Sequence, residues 1–282
     1  MLWLLAAAGL PFLLLSLFGY ALWRVLRPAS GPPGAVRRDG DADTPVLLCL
    51  GDSLTHGHIG ADWVGPLRAH LAPKGVGVAN GGVNGQQAWN LLQRLDADLA
   101  CMPSAVVLMI GSNDVMAAER PDRARQYVKD NTLPHTPDLP WSQEQYTALV
   151  DRLRAATPHL ALCTIPPLGA DESHPAEQLV RRWNDSIRAH AERLEAPLLD
   201  VHAAVWPLNA EASRPYEGSF RDVGRLLAAA GFAHYILGRS WDRIASDGSW
   251  GAMIDGIHFS DAAAARVGDL VLGWFDGLGL GE

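Results

Sequence analysis

Cysteine is scarce in this 282-residue chain: there are three, an odd number, at Cys49, Cys101 and Cys163, which gives no basis for a disulfide framework. Cys49 and Cys163 fall inside apolar runs, where they read as buried thiols. Basic charge is also short. With 23 Lys and Arg against 31 Asp and Glu, a net charge of -8 and a pI near 5.6, nothing favours nucleic acid as a partner. No internal repeat is apparent. Paired metal-ligand spacing is missing too: Asp171, Glu172 and His174 gather in a Pro-rich loop without it, so no metal site is expected. The most local absence is of charge itself, from Met1 to Trp23.

What the chain has is 48% hydrophobic content, enough for one sizeable core, and an alternation of two patterns. Short apolar runs at Val46 to Leu50, Val76 to Ala79, Ala105 to Ile110, Leu160 to Ile165 and Pro197 to Val201 predict strands. Helical spacing lies between them at Gln86 to Leu99, Ser142 to Ala156 and Ala176 to Glu195, with Ser142 and Gln145 placed as a capping box. Strand and helix in alternation imply an α/β fold, a flavodoxin-like three-layer α/β/α sandwich around a mainly parallel five-stranded sheet. Its site is expected at the carboxyl ends of the strands.

The first strand ends in Gly51-Asp52-Ser53-Leu54-Thr55, a tight turn that presents a serine. A serine hydroxyl is a poor nucleophile until a base, an orienting acid and oxyanion donors surround it. Asp255-Gly256-Ile257-His258 sets a carboxylate and an imidazole three residues apart, close enough to fix an imidazole tautomer. Two further strands feed loops, Asn80-Gly81-Gly82-Val83-Asn84-Gly85 and Gly111-Ser112-Asn113-Asp114. Taken singly, Ser53 reads equally as a helix N-cap, Gly85 as a turn glycine, Asn113 as a loop amide and His258 as a packed histidine.

Taken together and in order, GDSLT, NGGVNG, GSND and DGIH resemble the four blocks of the GDSL or SGNH hydrolases, from about Val46 to the C-terminus. The resemblance implies a serine ester hydrolase that needs no cofactor. Ser53 would be the nucleophile, His258 the general base and Asp255 its orienting acid, with the Ser53 and Gly85 backbone N–H groups and the Asn113 side-chain amide forming the oxyanion hole. The partner it implies is a carboxylic ester, lipid-like in one reading. A glycan O-acetylesterase or an acyltransferase using the same residues is the alternative, and a non-catalytic, membrane-tethered binding protein is a third reading.

Other polar and aromatic residues carry blander expectations. Asp52 reads as a turn stabiliser, His56 and His58 as turn, surface or pocket residues, and Asp200 as a structural group after the last strand. Trp63 and Trp89 read as core residues on helices, with lining of an acyl pocket the alternative.

The uncharged run of residues 1–23 would reach about 34 Å as a helix, enough for a bilayer core of about 30 Å, so a single-pass transmembrane anchor is expected there. A cleavable signal peptide is the rival, though the run lacks a basic start and a convincing cleavage site. Residues 24–44, rich in Pro and Gly, read as a flexible linker, and 45–282 as the hydrolase domain. Arg24, Arg27, Arg37 and Arg38 follow the span, which places the domain on the cytoplasmic side, with export the alternative. The stretch at about 203–253 departs from a minimal family member. Phe220, Val223, Leu227 and Ala230, continued by Leu237, Trp241 and Ile244, read as extra helices packed on the core, or as a cap over the site in which Trp241 and Phe232 set chain-length preference.

Overall fold

A computed structural model of the chain describes residues 15–36, 44–210, 212–214, 216, 218 and 220–281. Five strands form the centre: β1 (Val46–Gly51), β2 (Gly77–Gly82), β3 (Ala105–Met109), β4 (His159–Cys163) and β5 (Leu198–Leu199). They pair in the order β2-β1-β3-β4-β5, and all four pairings are parallel. This is the flavodoxin-like order, and its switch point lies where β1 meets β3. Leu48 stands opposite Ala79 on one side and Val106 on the other, so β1 is central and apolar throughout.

Helices follow each strand. In chain order they are α1 over residues 15–26, α2 (Pro33–Val36), α3 (Ser53–His56), α4 (Val64–Leu71), α5 (Ala88–Leu99), α6 (Ser112–Glu119), α7 (Pro121–Asn131), α8 (Leu139–Ala156), α9 (Pro175–Arg193), α10 (Val201–Val205), α11 (Phe220–Tyr235), α12 (Trp241–Gly248) and α13 (Asp261–Asp276). The period of two along β1 divides the core. Val46, Leu48 and Leu50 face Leu91 and Leu95 of α5, Leu149 of α8 and Trp183 of α9. Leu47 and Cys49 face Leu67 of α4, Val205 of α10 and Val267 of α13. Truncating one of these fully buried leucines to Ala costs about 2–5 kcal/mol. All three cysteines are buried and free.

Three local expectations change. Helix α8 begins at Leu139, because Asp138 accepts the Trp141 N–H at 2.9 Å and Pro140 sits in the first turn, where its missing donor costs nothing. Ser142 is therefore a buried helical residue and no cap. The last strand shortens to Leu198–Leu199, since Asp200 caps α10 by accepting from Ala203. Asp200 also takes the Thr164 hydroxyl and pairs with Arg188, which is the structural role expected of it.

The segment expected as a flexible linker is docked over its described part. Gly31 O accepts the Asn80 N–H at 2.8 Å, Ser30 O accepts from Arg68, and Ala29 and Pro33 are buried. β2 is an edge strand with unpaired backbone groups, and this short Pro-restricted stretch covers some of them. Residues 37–43 lie outside the described residues, as do residues 1–14 of the expected anchor. Among the described residues no helix is long and apolar enough to cross a membrane.

The stretch after β5 forms α10, α11 and α12. Val223 of α11 packs with the first core cluster and Ala230 with the second, so α11 spans the two layers. Leu237 lies between α11 and α12 and is 56% exposed, off the apolar stripe expected of it.

Candidate active site

Ser53 opens α3, immediately after β1, and Asp52 caps that helix by accepting the Leu54 N–H at 2.9 Å. The cap holds the serine side chain on the outside of the turn. Ser53 Oγ lies 2.9 Å from His258 Nε2, and His258 Nδ1 lies 2.8 Å from Asp255 Oδ2. The loop that brings the last two together closes on itself. Ile254 N–H donates to His258 O at 2.8 Å, while Asp255 Oδ1 accepts the N–H groups of Ile257 and His258. Ser53, Asp255 and His258 are all buried.

Burial alone would push the Asp255 carboxyl up. The positive charge available to His258, with hydrogen bonds from its ring, its backbone and Ile257, outweighs that and holds the carboxyl below its usual range. Asp255 is thus an acceptor at neutral pH, and it fixes His258 with the proton on Nδ1. Nε2 is left to accept from the Ser53 hydroxyl, the arrangement a general base requires.

Gly85 and Asn113 reach the same cavity of about 350 Å³. Gly85 has φ of +73°, which favours glycine, and a Cβ there would meet open space. Its N–H and that of Ser53 have no hydrogen-bond partner among the described residues. Asn113 enters α6 after Gly111, whose φ of +135° favours glycine and where an added Cβ would collide with the Trp183 indole. The Asn113 amide is not free. Its Nδ2 donates to Gln86 O at 2.9 Å and to Asp52 Oδ2 at 3.3 Å, and its Oδ1 accepts the Tyr127 hydroxyl at 2.7 Å.

Asp52 is therefore more than a turn stabiliser, because its second oxygen touches the amide. Burial pushes its carboxyl up to about 6, against the Leu54 N–H and the charge of His258. Asp114, beneath it, is pushed up to about 8 by burial, with the Ala88 N–H and the Ser142 hydroxyl opposing.

Helix α7 carries the residues that sequence reasoning missed. Tyr127 orients Asn113, and Asn131 one turn further donates to Gly85 O at 2.7 Å. Arg123, one turn earlier, lines the cavity as well. The available signal was a polar residue every four positions on a helix opened by Pro121. Met116, Val223, Leu227 and Ile257 supply the apolar walls.

Other expected residues stand elsewhere. His56 and His58 are buried, so neither is a surface residue, and neither lines this cavity. Burial and the neighbouring His58 hold His56 down at about 4, and His58 contacts Arg27 O and the Ser30 hydroxyl. Trp63 is a core residue whose indole donates to Leu54 O, and Trp89 is partly buried against the core. Trp241 stacks on His234 and lines a separate cleft. Phe232 does not border the Ser53 cavity either, whereas Val223 and Leu227 of the same helix do. His174 caps α9 and Asp171 binds Ser173; among the described residues no group of His, Cys, Asp or Glu is placed to hold a metal ion.

With this geometry in place, comparison with known proteins is decisive for the family. The model of the GDSL-like lipase/acylhydrolase family matches residues 49–266. The chain belongs to that family. It is an ester-hydrolysing enzyme. Solved structures of similar fold include the acetylxylan esterase Axe2 from Geobacillus stearothermophilus, 20% identical over 82% of this chain and 94% of that one, with a TM-score of 0.54. Another is LAE5, an α/β hydrolase from the metagenome of Lake Arreo, Spain, 21% identical over 84% and 97% of the two chains, with a TM-score of 0.54. At these identities the likeness is one of fold. No curated protein sequence matches the chain.

Proposed function

We propose that this enzyme cleaves carboxylic esters by nucleophilic attack of Ser53, with His258 as general base and acid and Asp255 as its orienting partner. The observation that carries the reading is the unbroken relay from Ser53 Oγ through His258 to Asp255, at 2.9 and 2.8 Å. His258 takes the hydroxyl proton as Ser53 attacks the acyl carbon and returns it to the leaving alcohol; water then resolves the acyl-enzyme. The oxyanion is met by the Ser53 and Gly85 N–H groups and by Asn113, whose amide exchanges one internal partner for the substrate. The longer contact, to Asp52, is the one to yield.

The acyl group is a short or medium chain that lies against Met116, Val223, Leu227 and Ile257. A membrane-proximal, lipid-like substrate is favoured by one further feature. α1 continues the uncharged N-terminal run, exposes Leu15, Phe18, Leu22, Trp23 and Leu26, and brings Leu26 to the wall of the cavity. In this reading residues 1–23 anchor the enzyme and the arginines after them keep it on the cytoplasmic side. Removal of an acetyl group from a glycan, the chemistry named for Axe2, uses the same residues.

A fluorophosphonate probe is expected to label the wild-type protein and fail on Ser53→Ala, which also loses hydrolysis of short 4-nitrophenyl esters by about 10⁶-fold. Equal labelling of the two proteins would remove Ser53 from the mechanism. Reporter fusions at the C-terminus, read on intact cells, test the orientation; activity on the outer side contradicts it.

A further inference from the structure

Arg123 is a charged side chain in an uncharged place. It sits on α7 with 2% of its surface exposed, among the largest buried side chains of the protein. Its Nε donates to Gly218 O at 2.6 Å, a neutral acceptor, and its Nη2 is buried with no hydrogen-bond partner. Among the described residues no carboxylate lies within ion-pair distance of it. Glu119 is near enough to feel its charge, although burial holds that carboxyl above its usual range.

A buried guanidinium without a counter-ion is costly, and such groups persist where a partner arrives from outside. Arg123 lines the same cavity as Ser53, Asn113 and His258. It is the only Lys or Arg among the described residues of that lining; the acid there, Asp130, is exposed at the rim and accepts from Gln126. Its free nitrogen belongs to the planar fork that suits carboxylate and phosphate oxygens. Arg123 and Tyr127 are one turn apart, which puts an anion held by the first on the same helix face as the hydroxyl that orients the oxyanion amide.

We propose that Arg123 is a specificity-determining residue, receiving an oxyanion group, carboxylate or phosphate, carried by the ester whose acyl carbon is at Ser53. This deepens the proposed function and rests on it. An uncharged ester leaves Nη2 of the guanidinium without a partner. An anionic one supplies the missing partner and fixes the register of the ester bond on Ser53.

Two pairs of substrates locate the charge. The 4-nitrophenyl monoester of glutaric acid against that of glutaramic acid places a carboxylate or its neutral amide isostere on the acyl side. A monoacylglycerol 3-phosphate against the uncharged monoacylglycerol places a phosphate on the alcohol side. In at least one pair the wild-type enzyme is expected to favour the anion by about tenfold or more in kcat/KM. The preference should fall toward one in Arg123→Gln and be partly restored in Arg123→Lys. Because the readout is a ratio within one protein, a merely structural arginine does not move it.

If Arg123→Gln fails to fold, competitive inhibition of the wild type by glutarate but not by glutaramide serves in its place. Hydrolysis of all four esters with no preference in either pair overturns the inference and leaves the esterase reading intact, as does a preference that Arg123→Gln retains. Loss of the esterase reading is separately visible as absent fluorophosphonate labelling of Ser53.

Discussion

His258 holds both ring nitrogens in the hydrogen bonds that proton transfer uses, whereas Asn113 spends its amide on Asp52, Gln86 and Tyr127. The relay half of the site is assembled at rest. The proposed oxyanion half is assembled only in part: its two backbone donors have no partner among the described residues and its side-chain donor is committed. The difference follows from what each half must avoid. A histidine, a serine and a carboxylate satisfy one another when buried, so the relay carries no unpaired polar group. An amide buried in the wall of a cavity has no such partner of its own, and leaving it unpaired costs about 1–3 kcal/mol. Internal acceptors fill the need until a substrate oxygen competes for the same proton.

The sharpest way to break this contrast is to disable the relay alone. Asp255→Asn keeps the shape of the loop but offers His258 the wrong hydrogen-bond pattern, so kcat should fall by about 10⁴-fold with little change in KM. A loss below about tenfold would mean that the tautomer is held by something other than Asp255.

The oxyanion half should respond less. Asn113→Ala is expected to lower kcat by about 10²- to 10³-fold, again with KM nearly constant, because the donor acts only as charge develops. Tyr127→Phe removes the bond to Asn113 Oδ1 and should cost no more than about tenfold. Were Asn113→Ala as mild as Tyr127→Phe, the amide would be a scaffold that keeps its resting partners throughout turnover.

The smallest effect on rate, and the most informative one on stability, is expected at Asp52. Its folded carboxyl titrates at about 6, above the unfolded value near 3.9, so folding favours its protonated form. The stability it contributes is complete below about pH 4 and is lost as pH rises through about 6, a decline on the order of 3 kcal/mol. Urea midpoints for the wild type and Asp52→Asn between pH 4 and pH 7 should converge at the acid end and separate in favour of the variant at the neutral end. Parallel curves would show that Asp52 does not titrate in this window. Asp114, at about 8, extends a similar decline to higher pH, and because the Asp52 charge helps to raise it, the two proteins are compared below pH 7.

Much of this was legible in the sequence, and for identifiable reasons. β1 to β4 begin within a residue of their expected starts, because parallel strands buried on both faces are continuous apolar runs. The capping box at Ser142 misled because the true cap, Asp138, lies before a proline whose place in a first turn resembles a break. Residues 27–36 looked like a flexible linker on composition. What composition omits is that β2 is an edge strand and that Arg68 and Asn80 offer donors to passing carbonyls. Trp241 and Phe232 were natural candidates for acyl selection, but α11 turns Val223 and Leu227 toward the cavity and leaves the other two elsewhere.

The sequence by itself determined which residues could do chemistry. Ser53 is set by the end of an apolar strand, and Asp255 and His258 are neighbours three residues apart, so their pairing needs little beyond one turn of backbone. Tertiary structure alone decided how the rest are employed. Tyr127 meets Asn113, Asn131 meets Gly85, Asp52 meets Asn113 and Arg123 meets the cavity only because parallel crossovers bring loops distant in the chain to one edge of the sheet. Contacts of that kind depend on packing, which local spacing does not encode. Hence a four-block motif pointed to the proposed nucleophile and its base, while the hydrogen bonds of the proposed oxyanion donor and the buried arginine became visible only in the folded chain.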